Sequence, residues 1–364
     1  MTEPAPTTTR INGTPVQQEQ AIRAAAALLS ASRAPVVAGL GTDIEGTRAA
    51  VALARAVGAS IDHMEADAIF ANLDVMRRSG WLVTTPLQVR ARADMVLLVG
   101  DFLTEAWPDM ARHLALEASP ALASGRRQIF HLCPGANRPL DAATFIAPLA
   151  GGPLPTLAAL RAVTAGRPTS LDPAAAETLR TLAAALSTAR FGAVIWSAAA
   201  LDTLAIEMLC GLVDDLNKHT RFAGLPLSPK NGADTVTQAV TWITGFPVRT
   251  GFAGAEPRHD PWQFDANRQI ASGEADLAIW ISAFTPTPPP WGNAVPTIAL
   301  VPADTEFPTP PAVAFAVGRP GHDHDAMLFN PTIGGIAFTE AAAPSAMPRL
   351  ADTVAAITAA MPPC

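Results

Sequence analysis

The feature that most constrains this chain is a series of short, nearly continuous apolar runs. They are Pro35–Leu40, Asp94–Gly100, Arg127–Cys133, Phe191–Ser197, Asp276–Ser282, Pro296–Val301 and Ala312–Val317. A strand that is half exposed alternates apolar and polar residues; a strand covered on both faces reads as an unbroken run. Between these runs, Glu19–Ser32, Thr47–Val57, Pro173–Thr188, Leu201–Asn217 and Leu350–Ala360 are rich in Ala and Leu at helical spacing. Strands alternating with helices predict parallel sheets with helices on both faces. Residues 1–15 read as a loose tail, Trp81–Thr84 as a short strand and the Pro- and Gly-rich residues 147–173 as a linker. An Ala-Asp pair opens a buried strand twice, at Ala93-Asp94 and at Ala275-Asp276, a faint internal echo.

Composition narrows the function classes. The chain has 364 residues, enough for two domains, and is 49% hydrophobic and 16% charged, which excludes a disordered chain. Acidic residues outnumber basic ones 32 to 25, and this argues against nucleic acid as the main partner. Lys218 and Lys230 are the only lysines; the other basic residues are arginines, which hold their charge and present a planar fork to carboxylates. There is no Tyr, so no mechanism can use a phenol. The cysteines stand at 133, 210 and 364, and none forms a CxxC pair, so neither a zinc ribbon nor a disulfide framework is expected. The N-terminus is polar, and the most apolar segment, Phe191–Val213, is interrupted by Asp202 and Glu207. A soluble cytoplasmic protein with reduced thiols is expected.

Self-contained catalytic motifs are missing. Gly39-Leu-Gly41 with Gly46 lies between a strand and a helix, but the glycine spacing does not match a dinucleotide fingerprint, and Gly46-Thr47-Arg48 is not a P-loop. Asp43 and Glu45 would also repel a phosphate. His322-Asp-His324 lacks a third metal ligand at a recognisable spacing. His259-Asp260 are sequence neighbours, which rarely face one another. No nucleophile elbow or zinc-protease motif occurs.

One stretch is more specific. Asn217-Lys-His-Thr-Arg-Phe222 is followed by Asn231-Gly-Ala-Asp, then Trp242-Ile-Thr-Gly-Phe-Pro247, Arg249-Thr-Gly-Phe252 and Pro257-Arg-His-Asp-Pro261. This succession resembles the B subunit of formylmethanofuran dehydrogenase, as do Arg92-Ala-Asp94 leading to Gly100 and Glu274-Ala-Asp276. The resemblance spans most of residues 30–340. It implies two Rossmann-like α/β subdomains with mainly parallel sheets, like the central domains of molybdopterin oxidoreductases. From that architecture we expect residues 1–33 as a tail and helix, 34–125 plus 265–364 as a first subdomain, and 126–264 as a second.

The catalytic members of the family carry N-terminal cysteines for an iron–sulfur centre and a Cys or selenocysteine on molybdenum or tungsten. Here no Cys precedes Cys133. The chain is therefore more similar to the B subunit of the formyltransferase/hydrolase complexes of methylotrophs, which lacks those ligands. The resemblance implies a catalytically inactive scaffold subunit with no catalytic, metal-binding or cofactor residue of its own. Its complex would move a formyl group from tetrahydromethanopterin to a methylofuran-type coenzyme and release formate. Formyltransferase, amidohydrolase-like and C-type partner subunits would hold these coenzymes and zinc. Coenzymes of this class carry glutamyl-rich, polyanionic side chains, so Lys218, His219, Arg221, Lys230, Arg249 and Arg258 are candidate polyanion contacts. An active molybdenum or tungsten dehydrogenase subunit and a stand-alone small-molecule binder are the alternatives.

Overall fold

The computed structural model describes residues 9–123, 125–136, 140–254 and 256–362. In chain order the strands are β1 (Thr9–Ile11), β2 (Thr14–Pro15), β3 (Pro35–Gly41), β4 (Ser60–Ile61), β5 (Met95–Val99), β6 (Gln128–Leu132), β7 (Thr144–Ile146) and β8 (Gly192–Ser197). They continue as β9 (Phe222–Leu227), β10 (Thr250–Gly251), β11 (Arg258–His259), β12 (Leu277–Ser282), β13 (Thr297–Val301), β14 (Val313–Ala316), β15 (Ala326–Asn330) and β16 (Gly335–Thr339). The fold class is α/β. One sheet runs β11-β10-β4-β3-β12-β13-β14-β1-β2, a second runs β7-β6-β5-β8-β9, and β15 pairs with β16. The second sheet is wholly parallel; in the first, β4-β3-β12-β13-β14 are parallel and the short outer strands antiparallel.

The chain divides into two compact units. One contains the segment up to Ala66, Asn231–Phe329 and the segment from Ile336 onward; the other contains Asp67–Lys230 and Asn330–Gly335. These boundaries differ from the expected ones. Segment 67–125 and β5 belong to the second unit, because β5 is hydrogen-bonded between β6 and β8. Residues 231–264 belong to the first unit, where β10 pairs with β4.

The two sheets share one plan. In the first unit, β12, β13 and β14 run outward from the centre, and β3 followed by β4 lies on the other side. In the second, β5, β6 and β7 run outward, and β8 followed by β9 lies on the other side. The same parallel core occurs twice, with the chain entering it at different strands. The echoed Ala-Asp pairs mark equivalent points in this plan. The Asp94 carboxylate accepts from Arg190 N and Phe191 N, each at 3.1 Å, just before β8. The Asp276 carboxylate accepts from Arg33 N at 2.8 Å and Ala34 N at 3.1 Å, and from the Ser32 hydroxyl, just before β3. Each aspartate ties the start of its own strand to the start of its central parallel neighbour, satisfying N–H groups that precede the ladder.

Two local expectations are corrected. The expected loose tail contains the hairpin β1–β2, whose turn at Asn12 (φ 47°) and Gly13 (φ 81°) has the left-handed pair a two-residue hairpin needs. The expected linker contains a helix, Pro153–Thr164, that buries Thr156, Leu157 and Leu160. Its prolines lie in the first turn, where a missing N–H costs nothing. Trp81–Thr84 forms a single bridge, Val83 to Gly224, in place of a strand.

Candidate functional site

In a doubly wound sheet, ligands bind outside the carboxyl ends of the strands where the strand order reverses. In the first unit that point lies between β3 and β12. The chain leaves β3 through Leu40 (φ 52°), and Asp43 caps the next helix by accepting from Gly46 N at 2.8 Å. The glycine turn rejected as a phosphate site is thus a helix cap whose donor is already taken by a carboxylate. Beyond β4 come Asp62, His63, Met64 and Glu65. Asn231 and Gly232 also reach this point, both with left-handed backbone (φ 57° and 72°).

These residues form one closed hydrogen-bond set. His63 Nε2 donates to Asn231 O at 3.1 Å, and Glu65 N donates to His63 Nδ1 at 3.0 Å. Asn231 Nδ2 donates to Glu65 Oε1 at 3.0 Å, and Thr285 Oγ1 donates to Asn231 Oδ1 at 3.0 Å. Burial pushes His63 down to about 4, which suits a neutral ring with Nδ1 as acceptor. Packing is close as well. A Cβ on Gly41 would lie 3.2 Å from the Met64 methyl and 3.4 Å from Asn231 O, and one on Gly232 would lie 2.6 Å from the Phe284 ring. The backbone at Gly41 and Gly232 is thus closely packed by the chain's own residues.

Beside it, Arg249 is buried and bridges two acids. Its Nη2 lies 2.7 Å from Asp265 Oδ2, and its Nε lies 3.4 Å from the Asp62 carboxylate. Asp62 also accepts from His63 N at 2.8 Å and Ala266 N at 3.0 Å. Burial nevertheless outweighs the pull of Arg249 and raises Asp62 to about 7.

In the second unit the equivalent point lies between β5 and β8. His131 Nε2 donates to Gly100 O at 2.8 Å. A Cβ on Gly100 would lie 3.3 Å from Ala200 Cβ, and one on Gly135 would collide with the Asp101 carboxylate. Here too the carboxyl ends are met by the chain's own backbone and small side chains.

The sequence candidates fall as follows. Lys218, His219, Arg221 and Lys230 lie exposed in the second unit, whereas Arg249 and Arg258 lie in the first, with Arg258 exposed on β11. Lys218 Nζ pairs with Asp215 at 2.7 Å, and Arg161 Nε shares the same carboxylate at 2.9 Å. The Arg249 guanidinium is held by internal acids, so its charge serves the fold. Arg221 lines a groove of about 480 Å³ that also holds Arg92, Thr84, Thr85 and Gln88. Sequence reasoning did not single out Arg92 as a site residue; its position next to the Ala93-Asp94 clamp was the available signal. Cys133 and Cys210 are buried, and burial raises both thiols, Cys210 to about 11. Cys364 lies outside the described residues. No group of three His, Cys, Asp or Glu side chains suited to a metal ion occurs among the described residues. No helix among them is long and apolar enough to cross a membrane.

The motifs that carried the resemblance have local structural roles. Asn217 stands at the end of helix Thr203–Leu216. Its Oδ1 accepts from Phe222 N at 3.0 Å, and its Nδ2 donates to Phe222 O at 2.8 Å and Val213 O at 2.8 Å. It supplies both hydrogen bonds that an outer strand would make to the start of β9. Two residues further along, Gly224 exchanges backbone bonds with Leu82 and Thr84 at 2.7 and 2.8 Å. Gly245 (φ 82°) ends helix Ala233–Thr244, and Thr244 Oγ1 links Val240 O to the Phe246 backbone at 2.8–3.0 Å. The Phe246 ring stacks on His259 with centroids 5.9 Å apart. Trp242 is exposed, and nothing in its unit explains the choice of tryptophan.

Fold and site together define a class: an α/β protein in which the same parallel core is used twice. No family model matches the chain. It is 34% identical over 352 residues to the B subunit of the formyltransferase/hydrolase complex Fhc of Methylorubrum extorquens, covering 95% of both chains. It is 26% identical over 282 residues to the B subunit of tungsten-containing formylmethanofuran dehydrogenase 2 of Methanocaldococcus jannaschii, covering 74% of this chain and 64% of that one. Among solved structures it matches a chain of the formyltransferase/hydrolase complex FhcABCD of Methylorubrum extorquens in complex with methylofuran. The TM-score is 0.87 at 32% identity, covering 96% of this chain and 98% of that one. The chain belongs to the family of Fhc B subunits.

Proposed function

We propose that this chain is the catalytically inactive B-type scaffold of a cytoplasmic formyltransferase/hydrolase complex. The complex passes a formyl group from tetrahydromethanopterin to a methylofuran-type coenzyme and releases it as formate. Formyltransferase, amidohydrolase-like and C-type subunits are the partners, and zinc resides in them. The observation that carries this reading is the state of the thiols. A soft metal centre needs thiolates that converge on it. Cys133 and Cys210 lie buried with their thiols pushed toward the protonated form, and no cysteine precedes them. Such thiols do not suit a molybdenum or tungsten centre, and no redox step is assigned to this chain.

Within the assembly, we assign the exposed cations Lys218, His219, Arg221 and Lys230 of the second unit, and Arg258 of the first, to attraction of the coenzyme's polyanionic side chain. The test is purification from the native host, followed by native mass measurement and metal analysis of each subunit. A hetero-oligomer with zinc confined to the partners is expected. A lone monomer, or molybdenum, tungsten or iron travelling with this subunit, overturns the scaffold reading. If Lys218→Ala and Arg221→Ala leave the salt-dependent coenzyme affinity of the complex unchanged, the cations have no such role.

A further inference from the structure

Asn12 and Asn231 are the asparagines of this chain that precede a glycine. Glycine has no Cβ to hinder its own N–H from meeting the preceding side-chain amide, so an Asn-Gly pair is the dipeptide most open to spontaneous deamidation. The two pairs share a sequence and a left-handed backbone, and they differ in what holds them. We propose that Asn12-Gly13 is a modification site, at which the native protein converts asparagine to aspartate and isoaspartate, and that the fold protects Asn231-Gly232 from the same reaction.

At Asn231 both ends of the side-chain amide are held. Nδ2 donates to Glu65 and Oδ1 accepts from Thr285, each at 3.0 Å, while the main-chain carbonyl accepts from His63. Around Gly232 even a Cβ would lie 3.1 Å from Thr42 O and 2.6 Å from the Phe284 ring. Turning the Asn231 amide toward Gly232 N breaks this set. Asn12 is exposed, and among the described residues nothing bonds its side chain or the Gly13 N–H. Its turn joins strands of three and two residues at the outer edge of the nine-stranded sheet, with Thr14 and Pro15 exposed. So short a pairing opens locally at little cost, and opening frees the Asn12 backbone to bring its amide onto Gly13 N. Gly13 N then attacks Asn12 Cγ. The Cγ–Nδ2 bond breaks, and Nδ2 leaves as ammonia with the Gly13 amide proton. Water opens the resulting succinimide at either carbonyl, giving aspartate or isoaspartate with no change of oxidation state. Isoaspartate adds a methylene to the main chain, which a two-residue hairpin turn cannot accommodate. Either product puts a carboxylate beside Gly13, which lines a cleft that already holds Asp304 and Glu306.

The test ages the full-length protein in mildly alkaline buffer, maps its peptides by mass spectrometry, and probes isoaspartate with a carboxyl methyltransferase that esterifies it. In the native protein Asn12 is expected to convert about ten-fold faster than Asn231, or more, because only the first needs no more than a local opening. In denaturant the two should convert at similar rates. Asn12→Gln, an exposed change, should remove most of the methyl acceptance of the aged native protein. Native Asn12 converting no faster than Asn231, or methyl acceptance undiminished in Asn12→Gln, overturns the proposal. A gap that persists unchanged in denaturant also overturns it, because the difference would then lie in the flanking residues and not in the fold.

Discussion

Replacing Asn217 separates a structural motif from a ligand contact. Its side-chain amide makes three hydrogen bonds of 2.8–3.0 Å, two of them to the outward-facing N–H and C=O of Phe222. Asn217→Ala removes all three and leaves that edge of β9 without a partner. Buried orphaned groups cost about 1–3 kcal/mol each, but this edge borders an open groove where water can replace part of the loss, so about 2 kcal/mol in total is expected. For a unit of this size that lowers the melting temperature by about 4–8 °C. Asn217→Asp should recover nothing. It keeps an acceptor for Phe222 N but turns a charged oxygen toward the carbonyls of Phe222 and Val213. Thermal unfolding by circular dichroism decides the matter. A melting temperature within a degree of the parent, accompanied by weakened coenzyme binding of the complex, would show that Asn217 is a ligand contact and that its motif was misread as structure.

Two further tests address the interior. Asp62, raised from 3.8 to about 7, makes the native state lose stability as pH rises from about 4 to 7; His63, lowered from 6.5 to about 4, makes it gain stability as pH rises from about 4 to 6.5. At 1.36 kcal/mol per pH unit, the opposing contributions are each about 3–4 kcal/mol and nearly cancel below pH 6.5. Denaturant midpoints of the parent protein should therefore be nearly flat over that range, while Asp62→Asn exposes a rising slope; a flat profile in the variant refutes the compensation. Alkylation of the native protein with iodoacetamide, read by mass spectrometry, should spare Cys133 and Cys210 and reach both after unfolding, because neither is exposed and both thiols are held protonated.

The strands of the two cores were legible because burial on both faces writes a continuous apolar run, as in Met95–Val99 and Leu277–Ser282. The unit boundaries were not legible. Apolar runs say that a strand is central without saying which sheet it joins, so β5 was assigned away from β6 and β8. Hairpin β1–β2 was missed although Asn12-Gly13 is a strong turn signal, because its strands are too short to show a period. The candidate cations were neighbours in sequence, and folding parted them. Arg249 went inside to Asp62 and Asp265, while Arg221 was joined by Arg92, more than a hundred positions earlier in the chain. The closed set of His63, Glu65, Asn231 and Thr285 combines residues from distant segments, and no spacing announces it.

The residues that made the chain resemble redox enzymes turn out to serve the fold. Asn217 closes the edge of β9, Gly245 and Thr244 end a helix, Asp94 and Asp276 tie paired strands together, and Arg249 bridges Asp62 and Asp265. None of these roles needs an electron carrier, so selection for stability alone is enough to keep each of them. This explains how family-specific motifs coexist with buried, protonated thiols in one polypeptide. It also locates where any surviving ligand chemistry must be sought. Groups consumed by hydrogen bonds within their own unit are poor candidates, which removes Arg249, Asn231 and Asn217. What is left is the exposed cationic surface whose charge the fold does not consume, which in the second unit includes Arg92 and Arg221.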